Sequence, residues 1–340
     1  MASFSLTIAL FHLVTIFADQ ECNPPVAIGG QKTHLTTPLE YYDDWVKYVE
    51  QYSKQYESDL EYEKSYTKFI DSYENVINHT NKYYNVTMNY LADQVLPVNN
   101  LMRKRNSQRI SIWGSTNDNE PFDQKGPMPD SWDWTEHIPM RVPSQGDCGS
   151  CWSFSAIGAL ESAYFLKYGK YKNFSESQLV DCSKSYGNDG CNGGEMNFAF
   201  EYLEDYGFET ESDYPYVPQD SKCKYDKSLI LGKIKSFVEV KSGVDNIKRA
   251  LVFHGPLSIG IDASSWSFQL YHSGIYTNKK CSNKDLDHGV LLVGYGKYNG
   301  VSYWKVRNSW SQNWGIKGFV KINMETDCGI SENPASYPVL

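Results

Sequence analysis

An α+β fold is predicted from three observations. Between residues of about 40 and 80, apolar and aromatic positions recur at spacings of three and four. A second helical stretch covers about 151–206, and beyond about 230 the pattern becomes short alternating runs divided by turn residues. Helices segregated from strands in this way pack as a helical half against a β half, with a cleft between them.

The elements follow in chain order. Leu6 to Phe17 is apolar apart from Thr7, His12 and Thr15, and small Ala18 can end a cleavage site, so residues 1–18 read as a signal peptide, although no Lys or Arg precedes the apolar run. The run is too short to span a bilayer comfortably. Trp45, Tyr48, Val49, Tyr52 and Tyr56 form one apolar stripe, and Tyr62, Tyr66, Phe69, Ile70, Tyr73 and Ile77 form another, so two amphipathic helices are expected. From about 96 to 126 the periodicity is lost. That stretch carries Arg103, Lys104 and Arg105, then a Gly-Ser-Thr-Asn-Asp-Asn run and Pro121, which predicts an extended exposed linker open to proteolysis.

Beyond Pro127, a helix is expected from Cys151 to about Tyr168, with Ala156, Ala159, Ala163 and Leu166 on one face and Gly169 as its stop. Ser175 and Gln178 make a capping-box pattern for a second helix, and Asn192-Gly193-Gly194 precedes a third, from Glu195 to about Tyr206. Strands are expected at Ile234 to Val240, Leu257 to Asp262, Val290 to Tyr295, Val301 to Arg307 and Phe319 to Asn323.

The chain of 340 residues is long enough for a sizeable core, and its net charge of −9 argues against nucleic acid or an anionic membrane as partner. Sequons at Asn78, Asn85 and Asn173 are glycosylation candidates and fit a secretory route. Of eight cysteines, Cys22 lies alone, and the other seven (Cys148, Cys151, Cys182, Cys191, Cys223, Cys281, Cys328) leave at least one thiol outside any disulfide in an oxidising compartment. Six cysteines allow fifteen pairings.

The run Gln145-Gly146-Asp147-Cys148-Gly149-Ser150-Cys151-Trp152 holds a candidate nucleophile. Leu286-Asp287-His288-Gly289 offers an imidazole, and Arg307-Asn308-Ser309-Trp310 an amide. A thiol, a base and a group that orients the base are the components of nucleophilic catalysis. Taken alone, Cys148-x-x-Cys151 also suits a redox pair or half of a zinc site, but no second CxxC is present. His254 and His272 lack such a context.

These runs, together with Cys191-Asn192-Gly193-Gly194, Tyr271 to Tyr276 and Trp314-Gly315, resemble the papain-like cysteine proteases, and specifically the cathepsin L-like zymogens, from about Pro127 onward. The resemblance implies a two-lobed fold with a helical left lobe and a β-barrel-like right lobe. It implies residues 127–340 as the peptidase domain and 19–126 as an inhibitory propeptide, helical over about 40–93, to which Glu61, Phe69 and Asn89-x-Leu-x-Asp93 correspond loosely. In that family Cys151 is the nucleophile, His288 its proton partner and Asn308 the orienter of the imidazole. Trp310 shields the His–Asn bond, and Gln145 with the Cys151 N–H binds the oxyanion. Gly193, Gly194, Asp287 and Trp314 line the substrate path. The disulfides become Cys148–Cys191, Cys182–Cys223 and Cys281–Cys328.

The same resemblance implies a cysteine endopeptidase acting through a thiolate–imidazolium pair and a thioester acyl-enzyme. Peptide and protein substrates, the chain's own propeptide and cystatin-type inhibitors are the expected partners. A monomer, lysosomal or extracellular by the secretory pathway, is expected, without cofactor or metal. No His-His pair of the cathepsin B occluding loop is present. The second subsite falls near Glu195-Met196 and Ser331 to Ala335; a hydrophobic pocket is favoured, with Glu332 as the residue that would admit a basic side chain. Acid is expected to loosen the propeptide, with cleavage near Gly126 to Met128. Ser311 stands where that family usually has Gly. A catalytically silent binding or storage protein on the same scaffold is the alternative reading.

Overall fold

The computed structural model describes residues 40–94 and 127–340, together with the backbone of 25–28 and 31–34. The expected signal peptide, Cys22 and the linker of 96–126 lie outside the described residues. The chain divides into two compact units, residues 1–67 and 68–340.

In the first unit, β1 (Pro25–Ile28) pairs antiparallel with β2 (Gln31–His34). Helix α1 (Tyr42–Gln51) follows, and α2 (Asp59–Ile77) begins here and continues past the division. Both expected stripes fall mostly on helix faces, except that Tyr52 is the C-cap of α1, Tyr56 lies beyond it, and Ile77 at the end of α2 is exposed. Trp45 is the hub, with ring centroids 5.5–5.6 Å from Tyr48, Tyr56, Tyr62 and Tyr66. Two short, highly charged helices with few aliphatic residues hold together through such pairs, each adding about 0.5–1.5 kcal/mol beyond its buried area. The start of α2 is closed by Glu61, whose carboxylate accepts from Glu57 N at 2.6 Å while its own N–H donates to Ser58 Oγ at 3.2 Å.

The second unit is built on one open sheet. Its strands are β3 (Tyr84–Val86), β4 (Trp132–Asp133), β5 (Ser236–Val240), β6 (Leu257–Ile261), β7 (Tyr271–Tyr276), β8 (His288–Tyr298), β9 (Val301–Arg307), β10 (Phe319–Asn323) and β11 (Ala335–Val339), ordered β3-β7-β10-β9-β8-β6-β11-β5 with β4 on β8. All pairs are antiparallel except β7 with β10. The end strands β3 and β5 do not meet, so the sheet does not close into the barrel that the right lobe was expected to approach. One of its edges is taken by β3, from the segment expected to be propeptide, so that segment belongs to the second unit rather than to the first.

Strand β8 is the wall between two cores. Val290 and Leu292 face the sheet core with Ile259, Trp304, Val306 and Ile322. Leu291 and Val293 face the helical core with Trp152, Ile157, Leu160, Phe200 and Leu203. A strand buried on both faces needs a continuous apolar run, which residues 290–293 supply. Helix α3 (Cys151–Tyr168) is buried on every side from Cys151 to Ser162, so it is the axis of the helical lobe rather than a one-faced surface helix, and Leu166, expected on the buried face, is largely exposed. Gly169 ends it in a left-handed conformation (φ 66°), donating to Phe165 O at 2.8 Å.

Helices α4 (Glu176–Cys182), α5 (Met196–Asp205), α6 (Val244–His254) and α7 (Trp266–Gln269) complete the unit. Ser175 caps α4 as expected, with Oγ accepting from Gln178 N at 3.0 Å. The reciprocal half of the box is absent, because the Gln178 amide turns to Gly207 O and Glu209 N. Helix α6, strand β11 and β7 as a strand were not expected. Under the sheet's helical side, Arg141 bonds Glu161 at 2.9 Å and also Glu176, tying the loop before Gln145 to α3 and α4. Among the described residues the disulfides are Cys148–Cys191, Cys182–Cys223 and Cys281–Cys328.

Candidate active site

Four backbone segments converge on one point. Cys151 opens α3, so its sulfur sits at the positive end of a helix dipole. The disulfide Cys148–Cys191 and a bond from Gly149 N to Cys191 O (2.9 Å) pin the turn before it. His288 is the first residue of β8, opposite Ile261 of β6. Asn308 follows the last residue of β9, with its N–H on Gly318 O at 3.0 Å.

Gly289 eases the approach. A Cβ there would lie 3.1 Å from Trp152 Cα and 3.2 Å from its N, tighter than an ordinary Cβ contact, so glycine favours the close approach of β8 to the start of α3. Its N–H donates to Cys151 Sγ at 3.3 Å, which brings the sulfur beside the peptide bond that follows His288. Among the described residues, Cys151 is the one cysteine outside a disulfide.

The imidazole tautomer follows from its neighbours. Asn308 Oδ1 accepts from Ser309 N at 2.8 Å, which fixes the oxygen end of the amide, and it lies 2.8 Å from His288 Nε2. That nitrogen must therefore carry the proton. Nδ1 is buried and has no hydrogen-bond partner among the described residues, which leaves its lone pair available. Trp310 stacks on the ring at 4.9 Å, tilted by 27°, and is itself nearly buried, so water is kept from the His–Asn bond.

Gln145 is held at both ends. Its Oε1 accepts from Ser309 Oγ at 2.6 Å and its Nε2 donates to Cys148 O at 2.9 Å, leaving the second amide proton to point elsewhere. The backbone N–H of Gln145 reaches Ser309 O at 2.8 Å.

Cys151 and His288 have no exposed surface in this state. Burial pushes the thiol up to about 12, opposed by the Gly289 and Trp152 N–H groups and reinforced by the negative charges of Asp287 and Glu195. Burial pushes His288 down to about 4, opposed by its bond with Asn308. Burial thus disfavours the charged form of both groups in this structure.

The remaining expected positions are distributed around this centre. Gly193 adopts φ 113°, and a Cβ on Gly194 would come within 2.6 Å of the Trp152 ring and 2.5 Å of Asn188 Oδ1, so glycine suits both positions. Gly194 takes part in a single β-bridge through this stretch of backbone. Asp287 turns its carboxylate back onto Ala263 N at 2.8 Å, and burial raises it to about 7. Trp314 is fully buried, edge-on to Trp310 at 5.3 Å, with its indole N–H on Gln269 O at 3.0 Å; in this state it packs behind the shield and presents no surface to a peptide. Asn78, Asn85 and Asn173 are all exposed, and Asn85 Nδ2 donates to Ser273 Oγ at 3.2 Å across the β3–β7 pair. Ser311 has φ 58°, the left-handed region, which explains why glycine suits that position.

Sequence reasoning missed Ser309, Tyr90 and Gln269. Tyr90 donates its phenol proton to Trp310 O at 2.7 Å, and the Gln269 amide donates to Leu91 O and Gln94 O at 2.6 and 2.9 Å. Adjacency to Asn308 was the one signal that pointed to Ser309. The other two depend on a tertiary meeting that no local pattern announces.

A thiol at a helix N-terminus, an imidazole with one free nitrogen and an orienting carboxamide define a thiol-dependent hydrolase on an α+β scaffold. The sequence profile described as papain family cysteine protease matches residues 128–339, and the chain belongs to that family. It is 40% identical to a cathepsin L-like protein of Caenorhabditis elegans over 333 residues, 93% of this chain and 96% of that one. It is 47% identical to mouse procathepsin L over 222 residues, 63% of this chain and 66% of that one. Among solved structures, digestive procathepsin L 3 of the Tenebrio molitor larval midgut superposes with a TM-score of 0.79 at 34% identity, covering 88% of this chain and 99% of that one. The chain is a cathepsin L-like cysteine endopeptidase in zymogen form.

Proposed function

We propose that residues 127–340 are the mature peptidase and 19–126 its inhibitory propeptide, following a signal peptide at 1–18. The profile match over 128–339 supports the first boundary. The proposed route is secretory, to the lysosome or the extracellular space, with Asn78, Asn85 and Asn173 as glycan sites and a monomer sensitive to cystatin-type inhibitors as the product. No helix among the described residues is long and apolar enough to cross a membrane.

In the proposed mechanism, opening the site lifts the desolvation that disfavours the charged pair. The Cys151 proton passes to His288 Nδ1, the nitrogen left without a partner. The thiolate adds to the peptide carbonyl, and the oxyanion is met by Cys151 N–H and the spare Gln145 amide proton. His288 then returns its proton to the departing amine as the C–N bond breaks, leaving a thioester. Water, deprotonated by the same imidazole, releases the acid and restores the thiol. Gly194 is proposed to pair its backbone with an extended peptide, as one strand does with another. For the second subsite we favour an apolar side chain.

The observation that carries this reading is the His288 Nε2 to Asn308 Oδ1 bond, which leaves Nδ1 as the available base beside Cys151. The test is labelling of acid-activated enzyme with an irreversible epoxide, followed by mass mapping. Modification confined to Cys151, and lost in Cys151→Ala together with peptidase activity, is the expected result; labelling elsewhere with activity intact in the variant would overturn it.

A further inference from the structure

The two oxyanion donors of the proposed mechanism come from different pieces of backbone. Gln145 lies in the loop after Arg141, and the Cys151 N–H begins α3. Their separation must be held by something, and the disulfide at Cys148 ties that turn to Cys191, not to Gln145. The Gln145 amide itself reaches Cys148 O at 2.9 Å, and a second side chain joins the Gln145 backbone to the residue before Cys151. The Tyr216 phenol donates to Gln145 O at 2.7 Å and lies 2.7 Å from Ser150 Oγ, the residue immediately before Cys151. A phenol has a single proton, and Gln145 O takes it, so the Ser150 hydroxyl donates the second bond. We propose that Tyr216 is a positioning residue that bridges Gln145 to Ser150 and thereby sets the spacing of the oxyanion donors.

The bridge is stiff because Tyr216 is fixed at every end. Its backbone N–H donates to Glu211 Oε1 at 2.9 Å. Its ring stands edge-on to Phe154, one turn into α3, at 4.8 Å and 75°. The next residue, Val217, donates its N–H to Ser177 Oγ of α4 at 2.9 Å. Pro218 closes over Gly146, whose φ of 57° would place a Cβ 3.0 Å from the proline ring. Ser150 in turn carries the start of the catalytic helix, with its carbonyl accepting from Ser153 N at 2.8 Å. Burial raises the Tyr216 phenol above its ordinary range, so it stays protonated and keeps donating wherever the enzyme works. A shift of about an ångström in one donor is enough to weaken transition-state binding substantially, so a strut of this kind acts on kcat while the bound ground state is hardly affected.

The inference rests on the oxyanion role proposed for Gln145, and the experiment separates the two. Activated wild type, Tyr216→Phe, Gln145→Ala and the double variant are compared with two probes. A peptide aldehyde forms a hemithioacetal whose oxygen needs the donors, whereas iodoacetamide alkylates Cys151 without them. In Tyr216→Phe, kcat and aldehyde affinity are expected to fall about tenfold, with KM and the alkylation rate within about twofold of wild type. The double variant is expected to be no worse than Gln145→Ala, because the strut acts through Gln145. If phenylalanine prevents folding, Ser150→Ala carries the same comparison, since losing either bond opens the bridge. Aldehyde affinity and alkylation falling together, or aldehyde affinity unchanged while Gln145→Ala weakens it, overturns the role of Tyr216. Unchanged affinity in Gln145→Ala overturns the oxyanion reading itself.

Discussion

Ser309 Oγ donates to Gln145 Oε1 at 2.6 Å, and Gln145 N donates to Ser309 O at 2.8 Å. The pair orients the Gln145 amide: with its oxygen claimed by a hydroxyl, the NH2 end must face Cys148 O and the site. Ser309→Ala removes that orientation without altering charge or the fold around it. A buried hydrogen bond of this kind contributes about 1–1.5 kcal/mol, so kcat is expected to fall about tenfold with KM nearly unchanged. Steady-state kinetics on the activated enzyme check this; an equal rise in KM would show that Ser309 supports substrate binding instead.

Asn308 raises the affinity of His288 for its proton while burial lowers it. The working ion pair requires an ionised thiol and a protonated imidazole, so its alkaline limit is the pKa of the histidine. Asn308→Ala removes the opposing bond, which moves that limit to lower pH, and it also frees the ring to rotate. The expected result is a narrower bell in kcat/KM against pH, shortened on the alkaline side, with a peak lowered by roughly 10- to 100-fold. An unchanged alkaline limb would reject the role of Asn308.

The chemistry was legible in the sequence, and so was part of the architecture. Strands β9 and β10 were placed to the residue: Asn299-Gly300 supplies two consecutive left-handed positions (φ 48° and 83°) just before β9, and Gly318 (φ 88°) comes just before β10. Strand β7 was read as a motif and not a strand, since Gly274 interrupts it; the reason for that glycine is the backbone of Tyr83 and Tyr84, with Tyr83 O 2.4 Å from where a Cβ would sit. Strand β11 carries Pro338, which argues against a strand from local rules alone. Helix α6 shows only Ile247, Ala250 and Leu251 as a buried stripe, too short to stand out between strands. Local pattern thus revealed elements whose signals lie within themselves. Elements and site residues defined by what approaches them from elsewhere, such as Tyr90, Tyr216 and Gln269, were invisible to it.

Buried His288 and half-buried Asp287 respond to acid in opposite directions. His288 is held down, from an ordinary 6.5 to about 4, so its contribution to the closed state is full above about 6.5 and is lost as pH falls toward 4. Asp287 is held up, from 3.8 to about 7, so its contribution is full below about 3.8 and is lost as pH rises through 7. Between pH 4 and 6.5 the losses at His288 are offset by gains at Asp287. Asp287→Asn removes the offset. In the inactive Cys151→Ala zymogen, Tm is expected to decline more steeply between pH 6.5 and 4 with Asp287→Asn than without it. Parallel Tm curves for the two proteins would show that the pair does not govern the acid response.

Asn89 offers a change that leaves the mature enzyme untouched. Its amide donates to Gln269 O at 2.9 Å and its Oδ1 accepts from Leu91 N at 2.9 Å; it is nearly buried, and Gln269 returns bonds to Leu91 O and Gln94 O. This knot holds the segment after β3 against the turn that also carries the Trp314 indole. Asn89→Ala leaves Leu91 N and one lone pair of Gln269 O without partners, which costs about 1–3 kcal/mol of docking. Because residue 89 lies before the proposed cleavage site, the loss falls on the zymogen alone. Conversion at mildly acid pH, followed by gel and by the new N-terminal sequence, is expected to run at least about fivefold faster. The activated product should match wild type in kcat, KM and Tm. A zymogen that converts at the wild-type rate would mean that this segment is not what restrains activation.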